Sequence, residues 1–239
     1  MRERGLALLP AALAPVAVLV ASSFRNPVVL PIAAAAVCYP VLIRFLLRGR
    51  PTSAVVATLL WAASLSASII GATVGDPGGA AFWIPHGAAY RDEMFAFIAT
   101  GQGREGDPSR FIPQHLLHLA GFALVSLVSA GLLGIVLGAV LVGYMSYYVG
   151  ALAAAGGAPW TAFILGWPPY AMLRVVAYVL LGAALARPLL ARIVGRPLAA
   201  PPSRRFHGAV LALLLADLLL KTLLAARWAS LLRPCLTQP

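Results

Sequence analysis

The chain has 239 residues, of which 61% are hydrophobic and only 10% are charged, and its mean hydropathy is +0.90. This composition excludes a soluble globular fold, because a soluble chain of this length needs far more polar surface. A bilayer core about 30 Å thick takes about 20 residues of helix, and apolar runs of that length recur here. We therefore predict an all-α, polytopic transmembrane bundle of about seven spans, with residues 1–239 in a single integral membrane domain in contact with the lipid bilayer.

Basic residues outnumber acidic ones, 18 to 7, and the formal net charge is +11. They lie mostly in short segments that flank the apolar runs, which is the pattern of charges that orient membrane spans and not of a nucleic-acid surface. Nucleic acid is therefore not expected as a partner. Cys38 lies in an apolar run and Cys235 near the end of the sequence, and their spacing predicts neither a disulfide framework nor a cysteine metal site.

The first three apolar runs predict three spans. Residues 1–24 contain an arginine-bearing start and then an apolar run, so they are interpreted as the first span; a cleaved secretory signal, leaving six spans, is the alternative. Residues 28–47 form the second span and residues 53–74 the third. In the third, Ser64 and Gly71 belong to a stripe of small residues at helical spacing, which is suited to close helix packing.

Residues 75–112 form the longest polar interruption in the chain. With the start of the next span they contain five of the seven acidic residues and three of the four histidines. The segment GAAYRDEMFAFIATGQG predicts a short interfacial helix that ends at Gly101. Its apolar face consists of Tyr90, Met94, Phe97 and Ile98. Asp92 and Glu93 would face water if the helix is a structural cap, and the bundle if it is a lid over a substrate.

Four further spans are predicted after this stretch: residues 113–131, 134–154, 169–187 and 207–228. Gly134 and Gly138 form a GxxxG pair that favours close helix contact. Tyr147 and Tyr148 are placed in an interfacial aromatic belt. The double proline before the sixth span separates from it a half-helix at residues 160–166, interpreted either as a re-entrant element or as an interfacial turn.

The arginines predict the orientation of the bundle. With the N-terminus in the cytoplasm, the cytoplasmic segments collect most of the basic residues: Arg2, Arg4, Arg44, Arg48, Arg50, Arg187, Arg192, Arg196, Arg204 and Arg205. The positive-inside rule then gives a cytoplasmic N-terminus and an extracytoplasmic loop at residues 75–112. The predicted location is the cell inner membrane, with multiple passes.

His115 and His118 are the candidate metal ligands. They are three residues apart on a predicted helix and therefore lie on one face of it. The carboxylates that could complete the ligand shell are those of Asp92, Glu93 and Glu105, and His86 is a further candidate ligand. No HExxH motif accompanies the pair, so structural hydrogen bonding by both imidazoles remains the alternative.

Three ionisable residues within the predicted spans are candidates for function. Asp217 is near the middle of the seventh span, and Lys221 is one turn later on the same face, at a spacing that allows a direct ion pair. Arg174 lies near the outer end of the sixth span, where it can snorkel outward or meet Asp217 or the loop acids. Because burying such groups in lipid costs about 2.5–3.5 kcal/mol, all three are candidates for an ion or substrate pathway.

Three function classes are left open. The first is a transport or permease-like component of unknown cargo. The second is a non-catalytic assembly or accessory subunit, working as a homo-oligomer or with a membrane protein partner. The third is a membrane-embedded hydrolase with a divalent metal at His115 and His118 and with Asp92 or Glu93 as the base. An enzyme is the less favoured class because no catalytic motif such as G-x-S-x-G is present, and no other cofactor is indicated.

Overall fold

The computed structural model describes residues 3–198 and 204–236 of the chain. Within these ranges seven helices are long and apolar enough to cross a membrane, and no strand occurs, which confirms the prediction of an all-α bundle. The membrane-spanning helices are α1 (Glu3–Phe24), α2 (Val29–Leu47), α3 (Pro51–Gly75), α6 (Pro108–Val128), α7 (Leu132–Ala154), α9 (Pro169–Ile193) and α10 (Arg204–Leu232). The shorter helices are α4 (Pro77–Ala80), α5 (Gly87–Thr100) and α8 (Pro159–Leu165).

Two of the predicted spans begin or end in the wrong place. Helix α6 begins five residues before the predicted start, because Pro108 occupies its first turn and the Asp107 side chain caps it by accepting a hydrogen bond from Ser109 N–H at 3.0 Å. Helix α9 continues past the predicted end and includes Pro188 in its interior. Proline within a membrane helix is tolerated where neighbouring groups satisfy the backbone, so it is a poor marker of a helix end.

The bundle has two ends, which we name from the connections found there. The loop end carries residues 76–107 and α8, and the opposite end carries the turn at residues 48–50 and residues 194–198. At the opposite end Arg50 and Glu3 form an ion pair that joins the turn to the start of α1. At the loop end Arg233 Nε donates a hydrogen bond to the Ile98 carbonyl at 3.1 Å, which ties α10 to α5.

Lipid-facing and packed surfaces are clearly separated on α10. A row of leucines at four-residue spacing is exposed along this helix, at positions 211, 215, 219 and 223. Such a row offers only hydrocarbon to the surroundings, as expected of a helix face in contact with lipid. The other face of α10 packs against α5, α8 and α9 and carries the buried ionisable residues described below.

Glycine allows close helix contact at some of the predicted positions and not at others. A Cβ added at Gly134 would lie 2.2 Å from Ser126 Oγ, so α6 and α7 approach closely there. Gly138 and Gly71 have open space around them, so neither is a point of close packing. Ser64 does join two helices, since its hydroxyl donates a hydrogen bond to the Ala11 carbonyl at 2.7 Å.

The short helix predicted in the polar stretch is present as α5, and its apolar face is packed inward. Met94, Phe97 and Ile98 are buried, and Gly101 ends the helix in the left-handed conformation at φ 72°. The prediction of an aromatic belt at Tyr147 and Tyr148 is wrong, because both side chains are 0% exposed. This loop helix covers the end of α7. Both rings therefore lie beneath α5 and pack against it, and they do not reach the surface of the protein.

Candidate functional site

Two ion pairs lie side by side near the loop end of the bundle. Arg174 on α9 meets Asp217 on α10 through two parallel hydrogen bonds, Nε to Oδ2 at 2.8 Å and Nη2 to Oδ1 at 2.9 Å. Lys221 Nζ on α10 meets Glu105 Oε2 of the loop at 2.7 Å. Asp217 and Lys221 are 2% and 1% exposed, so both charges depend on their partners for solvation.

The predicted direct pair between Asp217 and Lys221 is wrong. Helical spacing places the two residues on one face, but that face is covered by α9 and by the loop, which bring better-placed partners. The guanidinium fork of Arg174 matches a carboxylate in two-point geometry, which a lysine ammonium cannot do. Lys221 is left for Glu105, and its Nζ also lies 4.6 Å from the centre of the Phe111 ring.

Asp92 and Glu93 pair with arginines and form no hydrogen bond with His115 or His118 in the described part of the chain. Asp92 accepts hydrogen bonds from its neighbour Arg91, raises the pKa of that guanidinium, and has a side chain that is 66% exposed. Glu93 lies 3.5 Å from Arg104 at the loop surface, although it also lines the cavity described below. Of the two candidates for a base, only Glu93 therefore borders an enclosed space.

His115 and His118 are placed inside the bundle and not at its mouth. Because α6 begins at Pro108, His115 lies seven residues along the helix, about 10 Å from its start. Its Nδ1 is 2.8 Å from the Phe111 carbonyl, and its Nε2 is buried without a hydrogen-bond partner in the described part of the chain. Within residues 3–198 and 204–236 no three His, Cys, Asp or Glu side chains form a group that could hold a metal ion. The candidate metal site thus lacks the carboxylate ligand that it needed.

A cavity of about 490 Å³ lies between α7 and α9, and residues of α5, α6 and parts of α2 and α3 also contribute to its lining. On α9 its lining runs from Tyr170 to Ala183, and on α7 from Gly134 to Met145, with Gly131 just before that helix. At a rise of about 1.5 Å per residue, thirteen residues correspond to a length of about 20 Å. Its volume falls within the range of about 300–1,000 Å³ that is usual for small-molecule sites.

The charged side chains and most of the polar side chains that line this cavity lie toward its loop end, and Thr58 on α3 is an exception. The side chains there are those of His86, Tyr90, Glu93, Glu105, Gln114, His115, His118, Tyr144, Tyr170, Arg174 and Tyr178. Toward the opposite end the lining is apolar: Leu42, Phe122, Ile135, Val140, Leu141, Val175, Val179 and Ala183. Glycines at positions 131, 134, 138 and 182 lie along the same stretch, but only Gly138 has open space where a side chain would project.

The tyrosines at the loop end were missed by the sequence argument. Tyr90 and Tyr144 have ring centroids 4.6 Å apart, and Tyr170 lines the same part of the cavity. Burial raises the pKa of the Tyr90 hydroxyl well above its ordinary value, and the Glu105 carboxylate raises it further. Because these tyrosines lie on three separate helices, no spacing pattern in the sequence links them. Only the recurrence of Tyr near the ends of the spans could have indicated that they cluster.

Protein-family models, curated proteins and solved structures give no significant match to this chain. The features of the described residues that bear on function are the cavity, its lining charges and the seven apolar helices.

Proposed function

We propose that this multi-pass membrane protein is a permease-like component that holds its cargo in the cavity between α7 and α9. The observation that carries the proposal is the reach of that cavity, about 20 Å of helix, from the charged loop end toward the opposite end. A packing defect would be small and of uniform lining, whereas this space has a polar end and an apolar end.

The ion pair of Arg174 and Asp217 supports the same proposal. Arg174 lines the cavity, while Asp217 lies behind it and fixes the guanidinium through two bonds. In the proposed function Arg174 contacts cargo, and Asp217 is a positioning residue. In the same way, Lys221 lies behind Glu105 and holds its carboxylate.

The proposed orientation follows from the arginine distribution. We infer that the loop end faces the extracytoplasmic side and that the N-terminus is cytoplasmic, with the protein in the cell inner membrane. The polar end of the cavity would then open outward, beneath α5 and the turn that carries Glu105.

Transport requires that residues in the cavity become accessible from each side of the membrane. The test starts from the double variant Cys38→Ala and Cys235→Ala, which removes both native thiols. Single cysteines are then placed by Gly138→Cys, midway along the cavity, and by Val179→Cys, toward the opposite end. Each variant is treated with a membrane-impermeant maleimide in sealed vesicles of right-side-out and inside-out orientation.

We expect labelling of both positions from both sides, because a permease exposes its cavity alternately. A matched control is Leu117→Cys on α6, whose side chain is exposed to lipid and should react from neither side. Labelling from the loop side alone would overturn the transport proposal and favour a binding or accessory role.

A further inference from the structure

The apolar part of the cavity extends along α7 and α9, and we call it the slot. Its walls are side chains of α7 and α9 such as Ile135, Leu141, Val175 and Val179, and it runs alongside glycines. Gly138 borders the slot with open space around it, so nothing fills the position where a side chain would project. An apolar wall of this kind stabilises hydrocarbon and penalises any buried polar group that lacks a partner.

The polar end displays one charge of each sign from the two ion pairs. In the first pair the Arg174 side chain is 24% exposed and Asp217 only 3%, so the cation faces the cavity and the anion lies behind it. In the second pair the order is reversed, with Glu105 15% exposed in the lining and Lys221 1% exposed behind it.

At this end of the cavity, the groups around each charge suit a ligand group of the opposite charge. Arg174 uses Nε and Nη2 for Asp217, so Nη1 lies on the edge of the guanidinium directed away from that carboxylate. Glu105 uses Oε2 for Lys221, and the rings of Tyr90 and Tyr170 line the cavity with it. Tyrosine rings beside a carboxylate are a favourable setting for an ammonium group, and a guanidinium for a phosphate.

We propose that the cavity binds a single-chain amphiphile with a zwitterionic headgroup, the head beside Arg174 and Glu105 and the hydrocarbon chain between α7 and α9. This deepens the proposed transport function by naming its cargo class and rests on it for the fate of the bound molecule. A purely cationic or purely anionic amphiphile would meet one complementary charge and one repulsive charge at the same end. A head without a chain would leave the apolar slot unused.

The test is competitive photolabelling of the full chain in lipid nanodiscs. The probe is hexadecylphosphocholine carrying a diazirine at the end of its chain, and adducts are located by peptide mass spectrometry. We expect adducts around residues 131–138 and 179–183, at the end of the cavity opposite the headgroup. Four competitors are compared: unlabelled hexadecylphosphocholine, hexadecyltrimethylammonium, hexadecyl phosphate and free phosphocholine.

The zwitterionic competitor should displace the probe at about tenfold lower concentration than either singly charged one, since each lost charge removes one charge-assisted contact. Free phosphocholine should compete more weakly still. Gly138→Leu places a side chain in the slot and should abolish the adducts. Gly121→Leu, at an α6 glycine that also has open space around it but lies outside the cavity lining, should leave them unchanged.

Equal displacement by all three chain-bearing competitors would overturn the headgroup assignment, and adducts that survive Gly138→Leu would overturn the slot. These results are separable from the transport test. Cysteine labelling from both sides without photolabelling would keep the permease and reject this cargo. Photolabelling with one-sided cysteine access would keep the site and reject transport.

Discussion

Glu105→Gln should destabilise the protein more than Lys221→Met, although both changes break the same ion pair. Lys221 is 1% exposed and fixed in α10, so the loss of Glu105 leaves an ammonium without a counter-ion in the bundle. Removing one partner of a buried pair in this way costs about 3–5 kcal/mol. Lys221→Met instead leaves a carboxylate on a short loop turn, where it is 15% exposed and can turn toward water. We expect a cost of about 1–3 kcal/mol for that change.

The assay is an unfolding titration in mixed micelles, followed with a thiol-reactive dye. Cys38 and Cys235 are both buried, so they react as the bundle opens. The double variant should be more stable than the sum of the single effects predicts, with a coupling energy of about 1–3 kcal/mol. Glu93→Gln is the matched control. Glu93 lies 3.5 Å from Arg104, whose side chain is exposed, and exposed ion pairs contribute about 0–1 kcal/mol. If Glu105→Gln costs no more than Glu93→Gln, the buried pair does not hold the loop.

Three further changes test packing, capping and the ion pair of Arg174 with Asp217. Gly150→Ala should cost about 1–3 kcal/mol in the same titration, because its Cβ would lie 2.6 Å from the Cβ of Thr73. The control Gly71→Ala, in open space, should be neutral. Equal effects of the two changes would contradict the close contact. Hydrogen bonds to the Asp107 carboxylate lower its pKa below 3.8, so the charge stabilises the fold above that pH. The wild-type protein should therefore lose its stability advantage over Asp107→Asn as the pH falls through the lowered pKa. A difference in unfolding free energy that stays constant at all pH values would refute the charge effect. Arg174→Lys should lower stability by about 2 kcal/mol, since a lysine cannot make the two parallel hydrogen bonds to its carboxylate partner, and unchanged stability would show that the fork geometry is not needed.

The spans were predictable because hydropathy acts over about 20 residues, and a bilayer leaves a helix as the only way to satisfy the backbone. The ends of the spans depend on a few local contacts. Asp107 as a cap and Pro108 in the first turn start α6 early, and Pro188 does not stop α9. A capping carboxylate before a proline is visible in the sequence, but an interior proline becomes interpretable only with its neighbours in place.

The partners of the buried charges were less predictable. Spacing within α10 favours Asp217 with Lys221, since both residues share a face, and the alternative of Arg174 meeting Asp217 could only be left open. Glu105 lies 116 positions from Lys221, in a segment whose path over the bundle no local pattern specifies. Long-range pairing of this kind depends on how the loop folds back over α10.

A stable bundle could be built with apolar side chains in place of both members of each ion pair. Replacing a buried pair by apolar side chains of similar volume is often neutral or stabilising, because desolvation offsets most of the attraction between the charges. A bundle whose other contacts are mainly apolar would therefore gain little from placing Arg174, Asp217, Glu105 and Lys221 together. The arrangement has a different consequence, since each pair places one member in the cavity lining and uses the other to hold it. Fixed charges at the edge of an apolar slot can discriminate between headgroups without moving, and this pre-organisation is what a selective site for amphiphiles needs.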